Sequence, residues 1–106
     1  MAIEKCIRKD LVGVIYSPGF GAGWYSWNSY KYGIDIIFDK DLVEAIDAKN
    51  IKLTIKIAEE KYPEAYTGGL DNARIAWLPK GTKFIIREYD GSESIQIVEH
   101  IEFFVA

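Results

Sequence analysis

The sequence predicts an α+β protein with a mainly antiparallel β-sheet, in which two helices are inserted between an N-terminal strand pair and a C-terminal strand meander. Three observations lead to this fold class: a β-branched run at 11–16, apolar residues at helical spacing after Asp39, and a hairpin signal at Asp90-Gly91. The chain has 106 residues, 49% of them hydrophobic and 27% charged. This length and composition suit one globular domain, which we place at 1–106.

The N-terminal part, residues 3–17, is predicted to be β structure. Its clearest run, Leu-Val-Gly-Val-Ile-Tyr at 11–16, stops at Ser17-Pro18-Gly19, a cluster that breaks regular structure. The next stretch, 19–28, has three glycines alternating with other residues, and four of its ten residues are aromatic. We predict a loop there.

Two helices are predicted in the middle of the chain. Asp39 can cap a first turn, and Leu42, Val43 and Ile46 follow at helical spacing, so the first helix should end near Asn50. Residues 51–57 alternate as a strand would. A helical stripe competes with that pattern, and we choose a helix running to Pro63. The stripe consists of Ile51, Ile55, Ala58 and Tyr62.

The remainder is predicted to be strands. A strand at 73–78 ends at a Pro-Lys-Gly turn, and strands at 83–89 and 92–98 flank the two loop residues Asp90 and Gly91. This hairpin register puts Phe84 opposite Ile97 and Ile86 opposite Ile95 on one face. Ile85, Arg87 and Gln96 then point the other way. A last strand at 101–105 completes the predicted meander.

Composition excludes several classes of protein. The net charge of −3 argues against a protein that binds duplex nucleic acid. The N-terminal residues lack a signal-peptide pattern and no apolar run approaches the thickness of a bilayer, so we expect neither secretion nor a membrane span. Cys6 is the one cysteine and His100 the one histidine, which removes disulfides within the chain and metal sites built on several such ligands. We expect Cys6 to be a small buried residue of the first strand.

No catalytic pattern is found. His100 has no serine or cysteine partner pattern, the glycine loop lacks the third glycine of a dinucleotide fingerprint, and no P-loop tripeptide occurs. Asp39 with Asp41, or Asp71 with Asp90, could bind a hard metal ion, but a helix cap and a turn explain these aspartates more simply. We therefore expect no enzyme activity, no metal and no cofactor.

A ligand site is predicted around the glycine-rich loop. Glycine amides can form a concavity for an anion, aromatic rings can stack on a base, and arginines can form paired bonds to phosphates. The alternatives are a tight loop packed on its own aromatic rings, aromatic side chains in the core or in a subunit contact, and a solvated sheet face; Trp77 is expected in the core. The candidate ligand-binding residues are Gly19, Phe20, Gly21, Gly23, Trp24, Trp27, Asn28, Arg74 and Arg87.

Several motifs resemble a widespread family of small phage and prophage proteins. They are the loop from Ser17 to Asn28, Phe38-Asp39 before a helix, Thr67-Gly68-Gly69, Gly81-Thr82-Lys83-Phe84, and the segment from Glu88 to Ile95. The similarity spans most of the chain. That family includes the first Thoeris anti-defence family, the sponges that sequester cyclic ADP-ribose signals, and it is this branch that the chain resembles.

The resemblance implies a non-catalytic protein in the cytoplasm of an infected bacterial host, which starves a Thoeris effector of its signal. The implied ligand is a cyclic ADP-ribose isomer with two phosphates and one adenine. The resemblance also implies a homo-oligomer and, for some members, a second site for cyclic trinucleotides. Two alternatives stay open: an enzyme that cleaves the signal, and an inhibitor that binds a defence complex through Tyr25, Trp27, Tyr30 and Tyr32.

Overall fold

The structure is a computed structural model that describes residues 3–19 and 23–98. Within these residues the strands are β1 (Ile7–Arg8), β2 (Leu11–Tyr16), β3 (Arg74–Pro79), β4 (Phe84–Tyr89) and β5 (Ser92–Ile97). The helices are α1 (Trp24–Tyr32), α2 (Asp35–Phe38), α3 (Lys40–Asp47), α4 (Ile51–Lys61) and a short 3₁₀ helix (Gly68–Asn72). Helices lie between N-terminal and C-terminal strands and both sheets are antiparallel, which confirms the predicted α+β class. No helix in the described ranges is both long and apolar enough to cross a membrane.

The first sheet has the order β1-β2-β3. A two-residue turn at Lys9 and Asp10, both with positive φ, joins β1 to β2, as the right-handed twist of paired strands favours. Strand β2 has the predicted bounds and is central, and its Val14 and Ile15 are fully buried. Cys6, just before β1, is buried as expected.

The predicted C-terminal meander is wrong at one connection, the one between β3 and β4. Strand β3 pairs with β2, from Leu11 opposite Pro79 to Tyr16 opposite Arg74, whereas β4 and β5 form a separate two-stranded sheet. The turn between β3 and β4 contains Gly81 at φ 82°. Lys80 N–H also donates to the carbonyl of Asp10, 2.9 Å away, so this turn is held by the first sheet.

The predicted hairpin is confirmed in both turn and register. Asp90 and Gly91 have φ of 50° and 82°, as a type I′ turn requires. Phe84 lies opposite Ile97 and Ile86 opposite Ile95. Phe84, Ile86 and Ile95 pack against the core, while Ile97 on the same face stays 46% exposed.

Helices α3 and α4 confirm two predictions. Asp39 caps α3 as predicted, and Leu42 and Val43 of this helix are buried. The helix ends at Asp47 and not near Asn50. Asn50 instead caps α4, which has the predicted helical conformation. Its buried stripe is centred on Thr54 and Ala58, and Ile51 is exposed.

Helix α1 overturns the predicted loop over 24–28 and the count of two helices. It begins at Trp24, within the aromatic stretch, and Gly23 precedes it with extended backbone. Aromatic residues are weak helix formers, so tertiary contacts described below stabilise this helix start. Phe20, Gly21 and Ala22, like His100 and the predicted strand at 101–105, lie outside the described residues.

Candidate functional site

The loop predicted to hold an anion already contacts a carboxylate of the protein itself. Glu93, on β5, is 2% exposed. Its Oε1 accepts from Ser17 N–H at 2.9 Å, and its Oε2 accepts from the N–H and the hydroxyl of Ser26 at 2.7 and 2.9 Å. The positive end of the α1 dipole favours a negative charge in this place. These two amides are therefore engaged and do not face a ligand.

Gly23 is required by this arrangement because the chain passes close to Glu93 and the hairpin turn. A Cβ at residue 23 would collide with the Ser26 side chain and lie 2.8 Å from both Glu93 Oε2 and the Gly91 carbonyl oxygen. Gly23 thus admits the carboxylate rather than an external ligand.

Trp24 is placed in the core, which removes it from the candidate ligand site. It is fully buried, its indole Nε1 donates to the Ile36 carbonyl at 2.7 Å, and its ring meets Tyr62 edge to face. Its backbone N–H donates to the Ser17 hydroxyl at 3.0 Å. Trp24 therefore anchors α1 and offers no face to a base.

Asn28 is also a structural residue. Its amide donates to the carbonyls of Trp24 and Tyr66, and its oxygen accepts from Tyr66 N–H at 2.8 Å. It is buried, so these bonds leave no outward-facing polar group. Asn28 clamps the segment after α4 onto α1.

Trp27 is the one member of the described aromatic candidates in 19–28 that lies at the surface. Its side chain is 44% exposed and packs edge to face on Tyr66, with ring centroids 5.6 Å apart. Tyr30, one helical turn on, is 79% exposed. Of the predicted protein-binding patch, Tyr25 packs partly against the core and Tyr32 contacts Tyr62 edge to face.

A groove of about 720 Å³ lies beside the start of the loop, and we call it the Arg74 groove. It brings together the loop, the end of α3, the end of the 3₁₀ helix and the start of β3. Its lining consists of Pro18, Gly19, Ile46, Asp47, Lys49, Asp71, Asn72, Ala73, Arg74 and Ile75. Two predicted site residues, Gly19 and Arg74, therefore meet here.

The charges in the Arg74 groove leave its cations available. Asp47 is paired with Arg8 at 2.8 Å, whereas Lys49 and Arg74 are in no salt bridge within the described residues. Asn72 is exposed and packs on Gly19, where a Cβ would lie 3.0 Å from the Asn72 amide nitrogen. A guanidinium, an ammonium and an amide are groups that bind phosphate and hydroxyl oxygens.

The sequence does not predict Lys49 or Asn72 as site residues, and it predicts Asp71 only as a turn residue or a metal ligand. No sequence signal marks Lys49: its left-handed backbone, with φ 57° two residues after the end of α3, is seen only in the structure. Asn72 follows the two glycines that open the 3₁₀ helix, and its place opposite Gly19 arises from the fold.

Arg87 is not brought to the Arg74 groove. It is exposed on β4, in the second sheet, and its guanidinium donates to the Gln96 side chain on β5. The two arginines thus belong to different sheets, and the groove lining includes Arg74 without Arg87.

A second concavity, of about 590 Å³, has the opposite charge, and we call it the Asp39 pocket. Its lining carries five carboxylates against two lysines and includes Tyr32 and Tyr62. The charged lining residues are Glu4, Asp35, Asp39, Asp41, Glu60, Lys40 and Lys61. This balance disfavours an anionic ligand.

The buried Asp39 organises that pocket. It accepts from the N–H groups of Asp41 and Leu42, from the Tyr62 hydroxyl at 2.7 Å, and from Lys61 Nζ at 3.2 Å. Burial alone would lower the pKa of Lys61, but hydrogen bonds to Asp41 and Asp39 raise it overall. Burial, and then the bond to Asp39, raise the pKa of Tyr62 well above its ordinary value.

Comparisons with known proteins return nothing: the chain matches no protein-family model, no curated protein and no solved structure. The family resemblance of the sequence stays a prediction, and the residues of the two concavities carry the functional argument.

Proposed function

We propose that the protein binds and sequesters an anionic nucleotide of the cyclic ADP-ribose class without converting it, and that the Arg74 groove is the binding site. One observation carries the proposal: Arg74 and Lys49, which form no salt bridge within the described residues, face one groove of about 720 Å³. Small-molecule sites have volumes of roughly 300–1,000 Å³, so the groove is large enough for a dinucleotide-sized ligand.

The lining residues suit the chemistry of such a ligand. Arg74 can bond two phosphate oxygens at once, and Lys49 adds a compact positive charge. Asp71 and the Asn72 amide can bond ribose hydroxyls. Pro18, Ile46 and Ile75 supply apolar contact area. In an infected bacterium, tight binding of this kind would lower the free signal below what a Thoeris effector needs.

The test incubates the purified protein with a cyclic ADP-ribose isomer, removes free nucleotide, and heats the complex to release what was bound. Chromatography of the released material separates three functions. Intact nucleotide supports sequestration, altered nucleotide supports an enzyme, and no bound nucleotide overturns the proposal.

Arg74→Ala with Arg87→Ala as its matched control locates the site. Both arginines are exposed on strands, but Arg74 alone lines the groove. Loss of a charged donor typically weakens binding by about tenfold to a hundredfold, so we expect this for Arg74→Ala and near-normal affinity for Arg87→Ala. Equal affinity of both variants in calorimetry would place the phosphates elsewhere.

A second candidate, a protein-binding inhibitor, is favoured by the exposed aromatic patch of Trp27, Tyr30 and Tyr66. The same patch is also a candidate contact between subunits of the expected homo-oligomer.

Sedimentation at low micromolar concentration tests for the homo-oligomer. If the patch is the subunit contact, Tyr30→Ser should shift the equilibrium towards the 12.1 kDa monomer.

A further inference from the structure

Glu93 is the buried carboxylate of the hairpin, and it forms no salt bridge with any cation in residues 3–19 and 23–98. Within the part of the chain that the structure describes, its polar contacts are with the loop and the start of α1. Three donors from Ser17 and Ser26 bond its side chain, and its own N–H donates to the Ser17 carbonyl at 2.7 Å. A buried charge is tolerated when several donors satisfy it. Here all of the side-chain donors come from residues 17 and 26, on either side of the glycine-rich segment.

The residues held by Glu93 continue directly into one wall of the Arg74 groove. Ser17 is followed by Pro18 and Gly19, both of which line the groove. Ser92, the neighbour of Glu93 on β5, donates its hydroxyl to the Pro18 carbonyl at 2.6 Å. Two consecutive side chains of β5 therefore bond the backbone of residues 17 and 18.

We propose that Glu93 is a positioning residue: it acts as a built-in anion that occupies the start of α1 and thereby sets the loop wall of the Arg74 groove. This inference rests on the proposed function for its effect on ligand affinity, while the anion role itself is independent of any ligand. External phosphate then has no access to the Ser17 and Ser26 amides, which directs it to Arg74 and Lys49.

The anion role is tested by amide hydrogen exchange in Glu93→Gln. A carboxamide can accept through one oxygen alone, so its NH₂ group would face an amide donor. We expect exchange of the Ser17 or Ser26 amide to accelerate by about tenfold or more, while β2 stays protected. Glu59→Gln, which removes an exposed charge from α4, is the matched control and should leave both amides unchanged. Unchanged exchange in Glu93→Gln would overturn the inference.

Chemical rescue of Glu93→Ala tests the charge directly. The atoms removed by this substitution, a methylene and a carboxylate, correspond to acetate. We expect acetate to raise the melting temperature of the variant above that in sodium chloride of equal ionic strength, with no such rise for the wild type. Acetamide, the neutral molecule of the same shape, should not rescue. Equal effects of acetate and acetamide would refute a role for the charge. If Glu93→Ala does not fold, the exchange experiment on Glu93→Gln decides the matter.

The link to the groove is tested by the affinity of Glu93→Gln for a cyclic ADP-ribose isomer, which we expect to fall about tenfold. Added salt distinguishes this from loss of a ligand contact. The salt dependence should stay that of the wild type, because Arg74 and Lys49 are intact. Accelerated exchange with unchanged affinity would overturn the positioning role. If the wild type binds no nucleotide, the proposed function is wrong. Amide hydrogen exchange in Glu93→Gln and acetate rescue of Glu93→Ala still test the anion role in that case.

Discussion

Two helices of this protein have a buried carboxylate at their first turn. One carboxylate is next to its helix in the sequence, and the other lies far from its helix along the chain. Asp39 accepts from the N–H groups of residues two and three positions later, so the cap of α3 is local. Glu93 reaches the start of α1 from 67 residues away. The same electrostatic need is met in both cases, since the first-turn amides of a helix lack partners. A helix with a local cap can therefore be predicted from the sequence, whereas the start of a helix with a distant cap depends on the rest of the fold.

The largest effect is expected at the local cap. Asp39→Ala removes the cap of α3 together with the acceptor of the Tyr62 hydroxyl and of Lys61. We expect a loss of about 3–4 kcal/mol in the free energy of unfolding, combining a cap with a charged hydrogen bond. Urea denaturation measures this, with Asp71→Ala, an exposed aspartate in no salt bridge within the described residues, as the control. A loss below that of the control would show that burial of Asp39 contributes little.

Gly23→Ala should break the distant cap. The added Cβ would sit 2.8 Å from Glu93 Oε2 and from the Gly91 carbonyl oxygen, and the latter is backbone that cannot easily move. Overpacking of this kind costs about 2 kcal/mol. Gly33→Ala is not a suitable control because residue 33 has a positive φ, so Ser29→Ala on α1 serves instead. Thermal unfolding that leaves Gly23→Ala as stable as Ser29→Ala would contradict the close approach.

Tyr62→Phe sharpens the comparison through pH. The bond from its hydroxyl to Asp39 contributes about 1.5 kcal/mol, and that much stability should be lost at neutral pH. Because the folded pKa of Tyr62 is raised, the unfolded chain loses this proton first as pH rises above about 10. Wild-type stability should therefore fall from there upward, and the fall should be shallower in Tyr62→Phe.

Urea titrations between pH 8 and 11 measure these slopes. Lys61, whose pKa is also raised, contributes in the same direction and is present in both proteins. Parallel slopes for the wild type and Tyr62→Phe would refute the raised pKa of Tyr62.

The smallest effect is expected at an exposed local cap. Asn50 accepts from Leu53 N–H at 3.1 Å at the solvent-exposed start of α4. Asn50→Ala should cost about 0.5–1 kcal/mol, several times less than Asp39→Ala, because water can satisfy the amide. A cost equal to that of Asp39→Ala would mean that burial does not distinguish the two local caps.

The sequence by itself determined the elements whose signals are local. The bounds of β2, the cap of α3, and the type I′ hairpin with its register all depend on residues within a few positions of one another. Turn chemistry, capping and two-residue alternation act over that distance, so they can be recognised without the fold.

Tertiary structure alone decided the helix at Trp24, the division into two sheets, and the residues that share the Arg74 groove. Gly19 and Arg74 were candidates from the sequence, but Asn72 and Lys49 join them through packing, and Arg87 is carried away on the second sheet. Trp24 and Asn28 were candidates in a predicted loop, but both are buried residues of α1, whose first turn is bonded to Glu93. The physical reason is that a carboxylate 67 residues away accepts from the Ser26 amide in the first turn of α1, and sequence spacing carries no record of such a contact.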